Sequence, residues 1–370
     1  MSPAAKPAPV LNIPESESTV HVRIIDSTSR LKGIPVKIFF EPEFKGFDVF
    51  DCPAYSFLVE HPPSGRKLLW DLGVRKDWEN FAPTIVKNIR DSGAQVTVEK
   101  GVAEIIQEGG VKLEDIDSVI WSHWHFDHTG DPSTFPTSTS LVVGPGFKEH
   151  LMPGYPAKDD SPILESDYEG RVVNEIDFQA TGLRLGQFRA MDFFGDGSFF
   201  LLESPGHAIG HMCALARTSP NSFIFLGGDC AHHGSEWRPT EYLPLPEEIK
   251  PSPLPVLYPS ICPGSLFTSI HRFHDESAVS PEDDTAAMTH PFCTPVDDAA
   301  YNGAEARESV EYMSEFDAYE DILVLIAHDH TMLDVMDFFP CLANDWKKKG
   351  WKEKGHWKFL GDFHEAVEEK

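Results

Sequence analysis

The sequence predicts an α/β (α+β) protein in which two strand-rich halves, joined by helices, pack as two β-sheets between helical layers. Three observations carry this. Short apolar runs of strand length recur from residue 20 onward, the hydrophobic period becomes helical in two places, and several runs end in histidine or aspartate. With 41% hydrophobic and 24% charged residues among 370, the chain has the composition of a globular protein able to bury a large core.

Residues 1–19, rich in Pro, Ala and Ser and without an apolar h-region, are expected as a flexible N-terminal tail and not a secretory signal. Residues 20–370 are expected to form one domain. HVRIIDS, PVKIFF, AYSFLVEH and RKLLWDLG read as strands, with PPSG turning the last two into a hairpin. Across 75–108 the period changes, and Ile85, Ile89, Val96, Val102, Ile105 and Ile106 are spaced as on amphipathic helices. DSVIWSH is a short buried strand that runs directly into SHWHFDHTGD. SLVVGPG, RLGQFRAMDFF, SFFLLESPGH, MCALAR and SFIFLGGD supply the second strand-rich block. Residues 239–300 are dense in proline and acidic residues, and read either as a lid-like insertion near a site or as a surface excursion. NGAEARESVEYMSEFDAYE then reads as a helix and DILVLIAHDH as a buried strand, followed by a tail of helix and loop.

The net charge of −28 opposes nucleic acid and anionic membranes, because long-range repulsion slows their approach, and favours a small neutral or weakly charged substrate. Six cysteines, at 52, 213, 230, 262, 293 and 341, lie scattered without a C-x-x-C, as expected of reduced thiols. With no apolar run near the roughly eighteen residues of a membrane span, a cytoplasmic location is expected, and a homodimer is compatible with the sequence.

SHWHFDHTGD places donors at metal-ligand spacing. His123 and His125 alternate as strand-end residues do and can meet one ion, while Asp127 and His128 reach a second. Three further apolar strands each deliver a donor at their end: His207, Asp229 and His328. The expected set is therefore His123, His125 and His207 on one ion, Asp127, His128 and His328 on the other, and Asp229 bridging. Cys230 rivals Asp229, since neighbours on a strand point opposite ways, and a bridging carboxylate is preferred to a thiolate. His330 rivals His328. His232, His233, His271, His274 and His290 lack a strand-end setting and are not expected as ligands.

Through HWHFDH, PGH with His207, GGD with Asp229 and IAHDH with His328, the chain resembles the metallo-β-lactamase superfamily over about residues 20–340. LLWDLG is similar to the family's early strand, ending here in Asp71. The resemblance implies a four-layer αββα sandwich of two mixed sheets flanked by helices, a dinuclear centre at one sheet edge, and Asp71 supporting the metal loop. A bridging Asp229 with His128 and His328 resembles the lactonase and thioesterase branches, whereas well-known zinc β-lactamases place a cysteine there, as Cys230 would. VVGPGF is similar to quorum-quenching acyl-homoserine lactonases, and the long insertion to lactonase-like hydrolases of fungi. Those lactonases carry a tyrosine three positions after the bridging aspartate. Here that position is His232, so His232 or Tyr242 inherits the carbonyl-polarising role.

The implied activity is a hydrolase with two divalent ions, Zn2+ foremost and Mn, Co or Fe as alternatives. A metal-bridging hydroxide would open a lactone or related lactam, with Asp127, Asp229, His232 and Tyr242 as the catalytic candidates. Thioester hydrolysis, iron-dependent redox chemistry and non-catalytic metal binding are the alternatives. A carrier-linked thioester would want a basic docking face, offered only in short runs such as KKKGWKEK.

Overall fold

Strands buried on both faces set the architecture. In the computed structural model, which describes residues 3–274, 285–297 and 300–368, the first sheet is built from seven strands. These are β1 (His21–Pro35), β2 (Val49–His61), β3 (Arg66–Trp70), β4 (Gln95–Val98), β5 (Ser118–Ile120), β6 (Ser140–Val143) and β7 (Val173–Glu175), in the order β4-β1-β2-β3-β5-β6-β7. Strands β1 to β4 pair antiparallel and β3, β5, β6 and β7 parallel, so the sheet is mixed. The second sheet contains β8 (Leu183–Leu185), β9 (Phe188–Asp192), β10 (Phe199–Glu203), β11 (Met212–Ser219), β12 (Ser222–Leu226) and β13 (Ile322–Leu325), ordered β13-β12-β11-β10-β9-β8. It is antiparallel except for the parallel β12–β13 pair.

Successive residues of a strand point to opposite faces. Tyr55, Phe57 and Val59 of β2 meet Phe199, Leu201 and Ile224 of the other sheet in a core between the sheets. Leu58 turns outward onto Val102, Ala103 and Ile106 of α2 (Val102–Glu108), the helix after α1 (Pro83–Ser92). On the far side Phe200, Leu202 and Phe225 bury Val310, Met313 and Phe316 of α3 (Gly303–Asp317). The two sheets lie between helical layers, which is the αββα sandwich expected. At about 1.5–3 kcal/mol for each fully buried large side chain, these three cores are the main stabilising terms.

Four expectations change. PVKIFF is not a strand: β1 ends at Pro35, Val36–Ile38 form a 3-10 turn, and only Phe40–Glu41 pair, with Thr294–Pro295. Val36 is buried in this turn while Ile38 is exposed, so the apolar run has no period to betray it. Val96 lies on β4 and not on a helix, because Gly93, with φ 72°, caps and ends α1 and frees the chain to pair with β1. The N-terminal segment is docked and not a loose tail: Leu11 is buried beside Leu185, Phe188 and Phe316, Gly186 N–H donates to the Leu11 carbonyl, and Arg217 donates to the Pro14 carbonyl. Its apolar residues find a groove that composition cannot show. In the proline-rich insertion, Leu245, Ile249, Leu254, Phe267 and Phe292 pack with Phe40, Phe44, Phe47, Phe359 and Phe363 in a fourth core. The described part therefore serves as a buttress, and residues 275–284 and 298–299 lie outside the described residues.

Candidate metal centre

Strand ends position every donor. The loop after β5 begins at Trp121 and carries His123, His125, Asp127 and His128, the last two on a one-turn helix, Phe126–Thr129. Asp71, the residue after β3, holds this loop from behind. Its carboxylate accepts from Ser122 N–H at 2.6 Å, from Ser122 Oγ at 2.7 Å and from His128 Nδ1 at 2.9 Å. Asp71 adopts φ 55°, a left-handed conformation that aspartate tolerates better than most residues, and this lets one short side chain serve three donors. Donation from Nδ1 leaves His128 Nε2 facing the site. His328 is fixed the same way, its Nδ1 donating to the Pro53 carbonyl at 2.7 Å.

The seven expected residues converge. His123, His125, His207 and Asp229 form one group, and Asp127, His128 and His328 a second, with the ligand atoms of each group within 4.8 Å of one another. Asp229 joins the two: Oδ2 is 3.7 Å from His123 Nε2 and 3.5 Å from His207 Nε2, while Oδ1 is 3.1 Å from Nε2 of both His128 and His328. His328 Nε2 is also 3.4 Å from Asp127 Oδ2. Cys230 turns away into the apolar core with Cys213 and Trp237, so the carboxylate faces the site and the thiol does not. The geometry follows from register. Leu226 pairs with Leu325 across the parallel strands β12 and β13, and the third residue beyond each is Asp229 and His328.

The donor set fits divalent cations. Among the described residues, His123 Nε2, His128 Nε2 and Asp229 Oδ1 are buried and have no partner at hydrogen-bonding geometry, an arrangement costing about 1–3 kcal/mol per group unless an ion takes the lone pairs. Burial opposes charge on His128, yet Asp229 and Asp71 raise it to about 10, and Asp229 raises His328 against the same penalty. Burial works against the Asp229 carboxylate too, and His128 and His328 outweigh it and hold the group well below the usual range. Positive charge is thus favoured on the Asp127 side. Burial pushes His123 and His207 well down and His125 to about 4, which keeps these imidazoles neutral and able to donate lone pairs.

The candidates for carbonyl polarisation separate. His232 lies at the centre, Nε2 3.5 Å from Asp229 Oδ2, with its ring 4.6 Å from that of Phe39 and 5.0 Å from that of His207. Tyr242 does not reach it. Thr240 N–H donates to the Leu243 carbonyl and Thr240 Oγ1 accepts from Tyr242 and Leu243, and this tight turn sends Tyr242 into a separate cleft with Trp237 and Glu311. His211, not singled out from the sequence, donates from Nδ1 to the Ser204 carbonyl and accepts from Asp229 N–H at 3.1 Å. Its spacing, four residues after His207 at a strand entry, was the available signal. A cleft of about 410 Å3 opens on the centre, walled by Leu31, Ile34, Phe39, Ile85, Ile89 and Trp124. Among the described residues, neither a lysine, nor an arginine, nor any residue of the 239–300 insertion lines it.

Comparison with known proteins agrees with this arrangement. Residues 49–261 match the family model described as the metallo-beta-lactamase superfamily. The chain is 46% identical to gamma-lactamase FDB1 of Fusarium pseudograminearum, over 100% of this chain and 88% of that protein. It is 43% identical to metallo-hydrolase mfmC of Annulohypoxylon moriforme, over 98% of this chain and 92% of that one. An N-acyl homoserine lactone hydrolase, solved with N-hexanoyl-L-homoserine at its catalytic metal centre, shares the fold with a TM-score of 0.54 at 15% identity, over 88% of this chain and 99% of that chain. With the αββα sandwich and seven convergent donors in place, the chain belongs to the metallo-beta-lactamase superfamily as a metal-dependent hydrolase.

Proposed function

We propose that this protein opens the ring of a small, uncharged lactam or lactone. The observation that carries the reading is the apolar cleft, free of lysine and arginine among the described residues, that opens on the metal residues. Two divalent ions, Zn2+ foremost, held by the two donor groups with Asp229 shared, would supply an acidified water and polarise the carbonyl. The cleft wall binds the non-reacting body of the substrate and excludes water, at about 25 cal/mol per Å2 of apolar surface covered. His232 Nε2 donates to the carbonyl oxygen as negative charge develops there. Asp127 accepts a proton from the attacking water at its carboxylate and returns it to the departing nitrogen or oxygen. The relative named a gamma-lactamase supports a cyclic amide among the substrates. A thioester on a phosphorylated carrier arm is disfavoured, because the cleft offers the phosphate no counter-charge and the net charge of −28 repels it.

The test is a panel of five- and six-membered lactams and lactones and of acyl thioesters on metal-replete protein. At least one ring should open, chelation should abolish the activity, and Zn2+ should restore it. His232→Ala should lower kcat by about 10²-fold with metal content unchanged. A metal-replete preparation that cleaves thioesters and opens no ring would overturn the proposal.

A further inference from the structure

Two pairs of histidines adjoin the centre, and in each pair one imidazole is spare. His232 faces the cleft and His233 does not. His328 joins the donor group and His330, two residues on, does not. Both spare rings end on a single carboxylate: His233 Nε2 lies 3.0 Å from Asp362 Oδ2, and His330 Nε2 lies 3.2 Å from Asp362 Oδ1. The two rings stack 6.3 Å apart with 13° between their planes, so the carboxylate reaches both at once. Asp362 arrives from the C-terminal 3-10 turn Lys358–Phe363, anchored where the Phe363 ring packs 4.2 Å from Phe44 and the Phe359 ring 5.5 Å from His233. His233 Nδ1 is further tied to Ser235 Oγ at 2.7 Å, whereas His330 Nδ1 is buried with no partner among the described residues. Among the described residues, the His330 ring is therefore hydrogen-bonded by Asp362 alone.

A neutral imidazole is a good ligand for zinc and related ions whatever its place in the chain, so a spare one two residues from a true ligand competes for the metal unless it is restrained. We propose that Asp362 sorts the ligands: by engaging His233 and His330 it withholds both imidazoles from the metal centre and fixes His328, not His330, in the donor group. Asp362 is a positioning residue in this role, acting through two histidines from a segment more than thirty positions from the nearer one, His330. The inference concerns metal binding and is independent of which ring the protein opens.

Cobalt titration of chelator-treated full-length protein, read by visible absorption and by competition with a chromophoric chelator, tests it without reference to activity. Asp362→Ala should weaken binding of one of the two ions by about 10–100-fold and alter the cobalt spectrum. His330→Gln alone should leave the spectrum as in the wild type. The triple variant, Asp362→Ala with His233→Gln and His330→Gln, should recover the wild-type spectrum, because both competing imidazoles are gone. An Asp362→Ala protein with wild-type affinity and spectrum overturns the proposal. So does a triple variant as impaired as Asp362→Ala, since Asp362 would then only prop the turn. If the alanine variant fails to fold, Asp362→Asn, which keeps the shape and can accept from only one imidazole, carries the same comparison. Wild-type protein that binds no cobalt overturns the metal centre and the sorting together.

Discussion

Asp71 shows how much one side chain settles here. It holds a left-handed backbone, of a kind that costs about 1–3 kcal/mol where the surroundings enforce it, and its carboxylate receives three donors from the metal loop. Burial raises its carboxyl, with His128 and Ser122 pulling the other way. Asp71→Asn retains the backbone preference but presents an N–H where Ser122 Oγ and His128 Nδ1 already donate. The tautomer of His128 is then no longer fixed, and affinity for the ion on the Asp127 side should fall about 10–100-fold, measurable by competition with a chelator. Unchanged affinity would remove Asp71 from the metal-loop support. LLWDLG pointed to this residue through resemblance alone. The sequence could not show that Ser122 and His128 are its partners, because 51 and 57 positions separate them from it.

At the scale of elements, the legible features were those set by local periodicity. Most strands of both sheets follow from short apolar runs and α3 from 3.6-residue spacing, whereas β4 was read within a helical stretch and β7 was not read; strand ends marked the donors because a loop after a buried strand is where polar residues can gather. Segments whose partner lies far away were not legible. PVKIFF became a turn and the proline-rich insertion a buttress, since apolar content says that a segment is buried and not against what. The N-terminal segment makes the point quantitatively. Leu11 is 4% exposed, and Leu11→Ala should cost about 2–5 kcal/mol in urea unfolding, against roughly nothing for a loose tail. A change below about 0.5 kcal/mol would return the segment to the tail expected from composition.

The whole molecule carries its acidity mostly on the surface, and the buried exceptions make its stability depend on pH. Asp167 is buried and, among the described residues, its carboxyl accepts only from Leu164 N–H at 2.9 Å; burial raises it from 3.8 to about 7 despite the pull of Arg75 and Arg171. The folded state therefore keeps this proton up to about pH 7, while the unfolded chain loses it near pH 4. The folded state binds more protons in this window, so the contribution is full below about pH 4 and is lost as pH rises through about 7. Asp167→Asn keeps an acceptor for Leu164 and cannot ionise. The unfolding free energy of the variant, relative to the wild type, should rise steadily between about pH 4 and pH 7 in denaturant melts. A difference that stays flat across that range would show that Asp167 ionises normally in place.

By itself the sequence determined the layered α/β class and nominated the seven candidate donor residues, because short apolar runs and the H-x-H-x-D-H spacing are local properties written in consecutive residues. Tertiary structure decided the rest. It chose Asp229 over Cys230 by the face each presents after β12, excluded Tyr242 by a turn at Thr240, and assigned the cleft walls to residues 31–39 and to α1 with β4, leaving the described insertion out. It also gave His233 and His330 a shared partner in Asp362. The physical reason is common to all four: each outcome depends on which distant surfaces pack together, and packing is a property of the assembled cores that no window of sequence contains.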